Sequence, residues 1–296
     1  MFAAVDDSLA SLIPSFLDYS RYELRSSPAT VRKQWDCLLW IQRDLPHVTS
    51  PLDLRLDDIT TLKKRVFARG ASESRANSMV FALRSFLKYC RRVHKLDTLD
   101  PKELSPVRLP KRRVVFLTPG EIRRFLSVIS PSTISGLRFM ALVQVLLATG
   151  MRIGEALSLN QRDIDWENRQ AVIIGKGNKE RTVFFSPDSL EWLKRYLMRR
   201  IDTCEALFVT TGVARRLKPF DLPRYFKRYK ERAGITKKLT PHILRHTMAT
   251  VLSHNGCDIK HIKDLLGHSD ISITAEYYVG TDERVLKDVH QRYLQF

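Results

Sequence analysis

Along the first ninety-odd residues the apolar positions recur with a helical period. Leu9, Leu12, Ile13, Phe16 and Leu17 form one such set, and Val31, Trp35, Leu38 and Leu39 form another. No strand-like alternation interrupts them. The stretch "SRANSMVFALRSFLKYCRRVHK" sets Met79, Val80, Leu83, Phe86 and Leu87 on one side, and Arg84, Lys88, Arg91 and Arg92 on another. It predicts an amphipathic helix with a cationic polar face. A charged helix face is ordinarily just solvated. The excess of one sign points here to contact with phosphate.

The pattern breaks at "DPKELSPVRLPKRRVVFLT", which holds three prolines and the run Lys111, Arg112, Arg113. That is the composition of an extended, exposed connector. Thr118, Pro119 and Glu121 then form a T-x-x-E capping box with proline at the first helical position, which marks a new helix. The nearly unbroken apolar run Leu137 to Leu147 is too short to span a bilayer and reads as a buried helix, ended by Gly150. After Asn160 the short β-prone runs Ala171–Ile174 and Thr182–Phe185 flank a Gly-Lys-Gly-Asn loop and predict a hairpin with a basic tip. Helical patterns resume from Pro187. The expected fold is mainly α with a small antiparallel β-sheet (α+β). Its parts are a helical N-terminal domain over 1–107, a basic linker over 108–117 and a second domain over 118–296.

Composition narrows the partners. Among 296 residues, 50 Lys+Arg face 32 Asp+Glu, a formal net charge of +18, which points to a polyanion. An acidic membrane surface would also attract such a chain. With no bilayer-length apolar run and no signal-peptide pattern at Met1, nucleic acid is favoured and a cytoplasmic location is expected. Cys37, Cys90, Cys204 and Cys257 lack CxxC spacing, so neither a disulfide framework nor a zinc ribbon is implied.

Four stretches place polar residues where a packed core has no need of them. They are "ATGMRIGEALSL" with Arg152, "GKGNKER" with Lys176, "TPHILRHTMAT" with His242 and Arg245, and "GHSDISITAEYY" with His268. Arg152 at the edge of an apolar helix needs a strong partner, and Glu155 lies one turn away. Lys176 taken singly is an ordinary solubilising charge. His242 and Arg245, three apart, share a helical face and are able to donate to one oxyanion. His254, Cys257, His261 and His268 also raise a metal reading, but no HExxH or paired-Cys signature supports it and Lys260 and Lys263 lie among them.

Together these strings resemble the tyrosine recombinase (phage-integrase) family, and within it the Xer-like site-specific recombinases. The resemblance covers nearly the whole chain. It implies a DNA-binding N-terminal domain, a catalytic C-terminal domain, and a catalytic set of Arg152, Lys176, His242, Arg245 and His268. Tyr277 is the implied nucleophile, because the family's tyrosine follows the histidine by nine positions. Tyr278 stands where Xer-like sequences more often carry a small polar residue. Glu155 reads as orienting Arg152 or the start of its helix.

The resemblance further implies cleavage and rejoining of duplex DNA through a 3′-phosphotyrosyl link and a Holliday junction, without metal or cofactor. The implied assembly is a homotetramer on two sites, or one with a related recombinase as hetero-partner. Resolution of replicon dimers is the expected role; an integrase or resolvase of a mobile element is the alternative, and a non-catalytic DNA-binding protein of the same fold is a further one. A tyrosine phenol with its ordinary pKa of about 10 is only ~0.1% ionised at pH 7, so activation must supply up to roughly 4 kcal/mol. A cluster of cations supplies that. Finally, Leu286, Val289 and Tyr293 form an apolar stripe that the resemblance assigns to docking on a neighbouring protomer.

Overall fold

The computed structural model describes residues 6–110, 114–175, 179–268, 270 and 274–275. The chain divides into two compact units, Met1–Arg112 and Arg113–Phe296. The first is helical among its described residues: α1 (Leu9–Asp18), α2 (Pro28–Asp44), α3 (Leu56–Ala68) and α4 (Glu73–Val93), with a π-helical turn at Tyr19–Glu23. Ser8 and Ser27 start α1 and α2 by accepting backbone N–H bonds from Ser11 and Thr30. Helix α4 is the hub, burying Met79, Val80, Leu83, Phe86 and Leu87 against α1, α2 and α3. The predicted stripe on α2 is rotated. Cys37, Leu38 and Ile41 are buried, whereas Trp35 is exposed. The apolar set of α2 spans more than one face, and the packing of α4 decides which part faces inward.

The polar face of α4 is less uniform than its sequence implies. Lys88 and Arg92 are exposed, and Arg84 is half-buried over the Phe81 ring. Arg91 turns back to donate to the Thr98 carbonyl and to pair with Asp97 at 3.8 Å. Each unit takes in one end of this proline-rich string. Leu104 belongs to the first core, and Val107 is tied by its N–H to Asn77 Oδ1 at 2.7 Å. At the other side Leu117 is buried in the second unit, its N–H donating to Thr247 Oγ1 at 3.0 Å. Lys111, Arg112 and Arg113 lie outside the described residues.

The second unit holds α5 (Pro119–Ser127), α6 (Ile134–Thr149), α7 (Ile153–Ser158), strands β1 (Gln170–Ile174) and β2 (Glu180–Phe184), and helices α8 (Pro187–Met198), α9 (Pro223–Arg232), α10 (Pro241–His254) and α11 (Ile259–Leu266). The capping box of α5 forms as predicted: Thr118 Oγ1 accepts from Glu121 N–H and the Glu121 carboxylate accepts from Thr118 N–H. Helix α6 is buried on most of its circumference and packs on α8 and α10. One arginine, Arg138, is buried in it, and its guanidinium donates to the Val209 carbonyl at 2.7 Å and the Tyr225 hydroxyl at 3.0 Å. Strands β1 and β2 form an antiparallel hairpin with Val172 opposite Thr182. Among the described residues the architecture is mainly helical with one two-stranded sheet.

Two glycines let helices meet tightly. Gly150 ends α6 in the left-handed region (φ 61°), and a Cβ there would sit 2.9 Å from Leu266 Cδ2. Gly267 ends α11 the same way (φ 66°), under the side chain of Arg181. Both ends point at the site described next.

Candidate active site

Arg152 is the N-cap of α7, immediately after the turn at Gly150. The cap is closed by Glu155, whose Oε2 accepts from the Arg152 backbone N–H at 2.8 Å while Oε1 accepts from Arg152 Nη1 at 2.9 Å. Glu155 thus accepts from both the backbone at the helix start and the guanidinium. At its other end this six-residue helix is stoppered by Arg216, whose Nη1 donates to the carbonyls of Leu157, Ser158 and Leu159. The short helix is thus held at both ends, and Arg152 with it.

Arg245 enters from α10, one turn past the Thr240 cap, and is 1% exposed. Its Nη1 donates to the Gly150 carbonyl and its Nη2 to the Leu266 carbonyl, each at 2.6 Å. A planar fork suits this bridge between two helix ends. Arg152, His242 and Arg245 line one cleft of about 310 Å³ together with Met151, Ile153, Thr240 and Pro241. His268 is buried nearby, with Nδ1 2.9 Å from Thr274 Oγ1.

The electrostatics of the site are set by these arginines. Burial, then Arg245, Arg152, His246 and Arg181, push His268 down to about 4. Desolvation followed by Arg245 and Arg152 lowers His242. His246, whose ring meets that of His242 edge-on at 4.6 Å, is pushed down to about 4 by burial, then by His242 and Arg245. In the free protein at neutral pH His246 and His268 are therefore uncharged, so among the described residues the positive charge of the site comes from its arginines. Burial alone would raise Glu155, yet the Arg181 and Arg152 hydrogen bonds hold it below its usual value. A site with this potential favours an oxyanion.

Lys176, Tyr277 and Tyr278 lie outside the described residues. The loop of Lys176 is pinned at its neck, where Gly175 N–H donates to the Lys179 carbonyl at 2.7 Å. The candidate DNA-contacting residues Arg84, Lys88, Arg91 and Arg92 belong to the other unit. Three residues of this site escaped the sequence reading: Arg181, His246 and Thr274. Arg181 ends the quoted string "GKGNKER" and His246 lies one turn after His242, so spacing held a signal for both. Thr274 carried none. Among the described residues, no three His, Cys, Asp or Glu side chains gather where they could hold a metal ion.

Residues 115–284 match the phage integrase family. A tyrosine recombinase, XerC of Myxococcus xanthus, is 32% identical over 292 residues, covering 94% of this chain and 96% of the relative. The crystal structure of XerA recombinase superposes with a TM-score of 0.53 at 27% identity, covering 96% of this chain and 99% of the other. XerH site-specific recombinase bound to its palindromic difH substrate, a post-cleavage complex, gives a TM-score of 0.73 at 21% identity, over 94% of this chain and 83% of that one. The chain belongs to the phage integrase family, the tyrosine recombinases. Within that class it is a site-specific recombinase of the Xer type, an enzyme that cleaves and rejoins DNA.

Proposed function

We propose that Tyr277 attacks a backbone phosphate of duplex DNA held by Arg152 and Arg245, and that His268 adds a neutral donor. The observation that carries this is the convergence of Arg152, His242 and Arg245 on one cleft beside buried His268. The phenolic oxygen forms a bond to phosphorus as the bond to the deoxyribose 5′-oxygen breaks, which leaves a 3′-phosphotyrosyl link. His242, held below the ordinary histidine range, is free to accept the phenolic proton. Lys176 supplies a proton to the departing 5′-oxygen. The two arginines stabilise charge on the non-bridging oxygens as it grows, and each such donor is worth on the order of a hundredfold or more in rate. The link keeps the phosphodiester bond energy, so another strand's 5′-hydroxyl reverses the reaction and two rounds pass through a Holliday junction.

The same reading takes duplex DNA as the partner, with Lys88, Arg92 and Arg84 of α4 and Lys111, Arg112 and Arg113 adding phosphate contacts. XerH is bound to its recombination site in the solved complex, which supports this assignment. The enzyme works in the cytoplasm as a homotetramer on two sites, and its role is resolution of replicon dimers. Its terminal segment, with Leu286, Val289 and Tyr293, lies outside the described residues and on this reading docks on the neighbouring protomer. Among the described residues no helix is long and apolar enough to cross a membrane.

A nicked duplex that traps the covalent adduct tests the assignment. Tyr277→Phe is expected to bind and form no adduct, whereas Tyr278→Phe forms one. An adduct surviving in Tyr277→Phe moves the nucleophile to Tyr278. Truncation before Asp282 is expected to spare single-site binding and abolish cooperative occupancy in gel shifts.

A further inference from the structure

The side chain of Arg181, on β2, sits where three parts of the site meet. Its guanidinium donates to both oxygens of Glu155, Nη2 to Oε2 at 2.7 Å and Nη1 to Oε1 at 3.2 Å. Glu155 Oε1 is the same atom that receives Arg152 Nη1. The carboxylate is therefore shared between two arginines, and the position of one constrains the other. On a second side, a Cβ at Gly175 would lie 3.1 Å from Arg181 Nη1, so the fork touches the neck of the loop that carries Lys176. On a third, a Cβ at Gly267 would lie 2.9–3.0 Å from Arg181 Cδ, Cζ and Nε, so the backbone just before His268 rests on the guanidinium. The side chain is only 12% exposed and Glu155 only 8%, which leaves little room for either to relax.

The geometry points to Arg181 as a positioning residue that couples the Lys176 loop, Arg152 and the His268 turn to one another. This rests on the recombinase reading above. Each of the three contacts uses a different property of the side chain: two donors for the carboxylate, an edge for Gly175, and a flat face for Gly267. Lysine has a single ammonium and no plane, so it preserves the charge but only one of the three contacts. A Cβ at Gly175 would also lie 3.8 Å from Glu155 Oε1, so the carboxylate that Arg181 holds is itself beside the neck of the Lys176 loop. Displacement of Arg181 therefore moves proton donor and phosphate clamp together.

The test uses the full chain and a duplex recovered from a random-sequence pool by covalent capture on the wild type. That duplex is remade with oxygen or with sulfur at the bridging 5′ position of the cleaved bond. A thiolate leaves without a proton, so sulfur removes the need for Lys176 and leaves the need for Arg152. Arg181→Lys is expected to bind the duplex within about threefold of wild type and keep its unfolding midpoint. Its adduct should form about a hundredfold more slowly on the oxygen substrate, the scale of a misplaced catalytic group. Sulfur should recover about tenfold of that loss and no more, because the Arg152 link stays disturbed.

Arg181→Met/Glu155→Gln removes both buried charges together, so that no carboxylate is left unpaired, and it should behave in the same way. A wild-type adduct rate in Arg181→Lys overturns the assignment. So does an equal loss on both substrates, which would mean that Arg181 does not act on the Lys176 loop, and so does a loss that merely follows a lowered unfolding midpoint. Failure of the wild type to capture any duplex would strike at the recombinase reading itself. Capture by the wild type with unaffected Arg181 variants removes only the role given to Arg181.

Discussion

Buried charge is used in opposite ways by the two units. In the N-terminal unit Asp44 is 2% exposed and its carboxylate accepts from Arg69 at 2.6 and 2.7 Å and from Arg43 at 3.0 Å, while Arg65 donates to its backbone carbonyl. The Arg69 hydrogen bonds hold it well below the carboxylate range against the cost of burial. That is a closed network, with an anion at its centre and cations around it. In the catalytic unit burial lowers His268 first, and the charges of Arg245, Arg152 and Arg181 lower it further. Their summed field is positive at the cleft, which is the condition for receiving a phosphate. A buried aspartate thus gathers partly exposed arginines in one unit, and arginines prepare an anion site in the other.

The comparison is broken most severely by removing a cleft arginine. Arg245→Ala or Arg152→Ala is expected to slow adduct formation by about a hundredfold or more on the suicide duplex. Neither should be rescued by sulfur at the bridging position, since the charge acts on the non-bridging oxygens. Arg245→Lys should fare little better, because one ammonium cannot hold both the Gly150 and Leu266 carbonyls in the same geometry. Rescue by sulfur would show that these arginines serve the leaving group.

Asp44→Ala carries the next effect, on stability alone. Its arginine partners are partly exposed, so the cost is set at about 1–3 kcal/mol, below that of a fully buried pair. Chemical denaturation followed by hydrogen exchange should locate the loss in residues 6–110. At temperatures where the variant is folded, its adduct rate should match wild type. A matching loss of stability in the catalytic unit would deny that the network is local.

Acid should then separate the two units. His246 and His268 titrate near 4 in the folded chain, against about 6.5 when unfolded. As pH falls below about 6.5 the unfolded state takes up protons first, so the catalytic unit loses stability between about 6.5 and 4. Asp44 is also depressed, but its contribution stays intact until pH falls below the ordinary aspartate value of about 3.9. Hydrogen exchange at stepped pH should show protection falling first over residues 114–268. Simultaneous loss in both units would contradict this order.

The smallest effect sharpens the picture of the first unit as a phosphate-contacting body. Lys88 is exposed on α4, and Lys88→Ala should weaken DNA binding a few-fold while reducing the slope of log affinity against log salt by about one. Arg91→Ala should change that slope less, since Arg91 already donates to Thr98 and pairs with Asp97. Equal slopes for both variants would mean that Arg91 leaves its internal partners when DNA is present.

Local chemistry determined much of this molecule from its residues alone. Helical periods marked helices in both units, and the Thr118 box and Gly150 marked ends that the structure shows capped. The hairpin was visible because β-prone runs flank a glycine-rich turn, although β2 begins two residues earlier than the runs imply. Such features are legible because a cap, a turn or a stripe is satisfied by neighbours within a few positions. What only the tertiary structure decided are the pairings over long separations. Trp35 is exposed because α4 chose another face of α2. Arg91 is spent on its own chain, and Arg138 finds the Val209 carbonyl 71 positions away. Arg181 meets Glu155 across 26 positions and Gly267 across still more. A buried charge takes whichever partner the packed chain brings within hydrogen-bonding distance, and spacing along the sequence does not encode that distance.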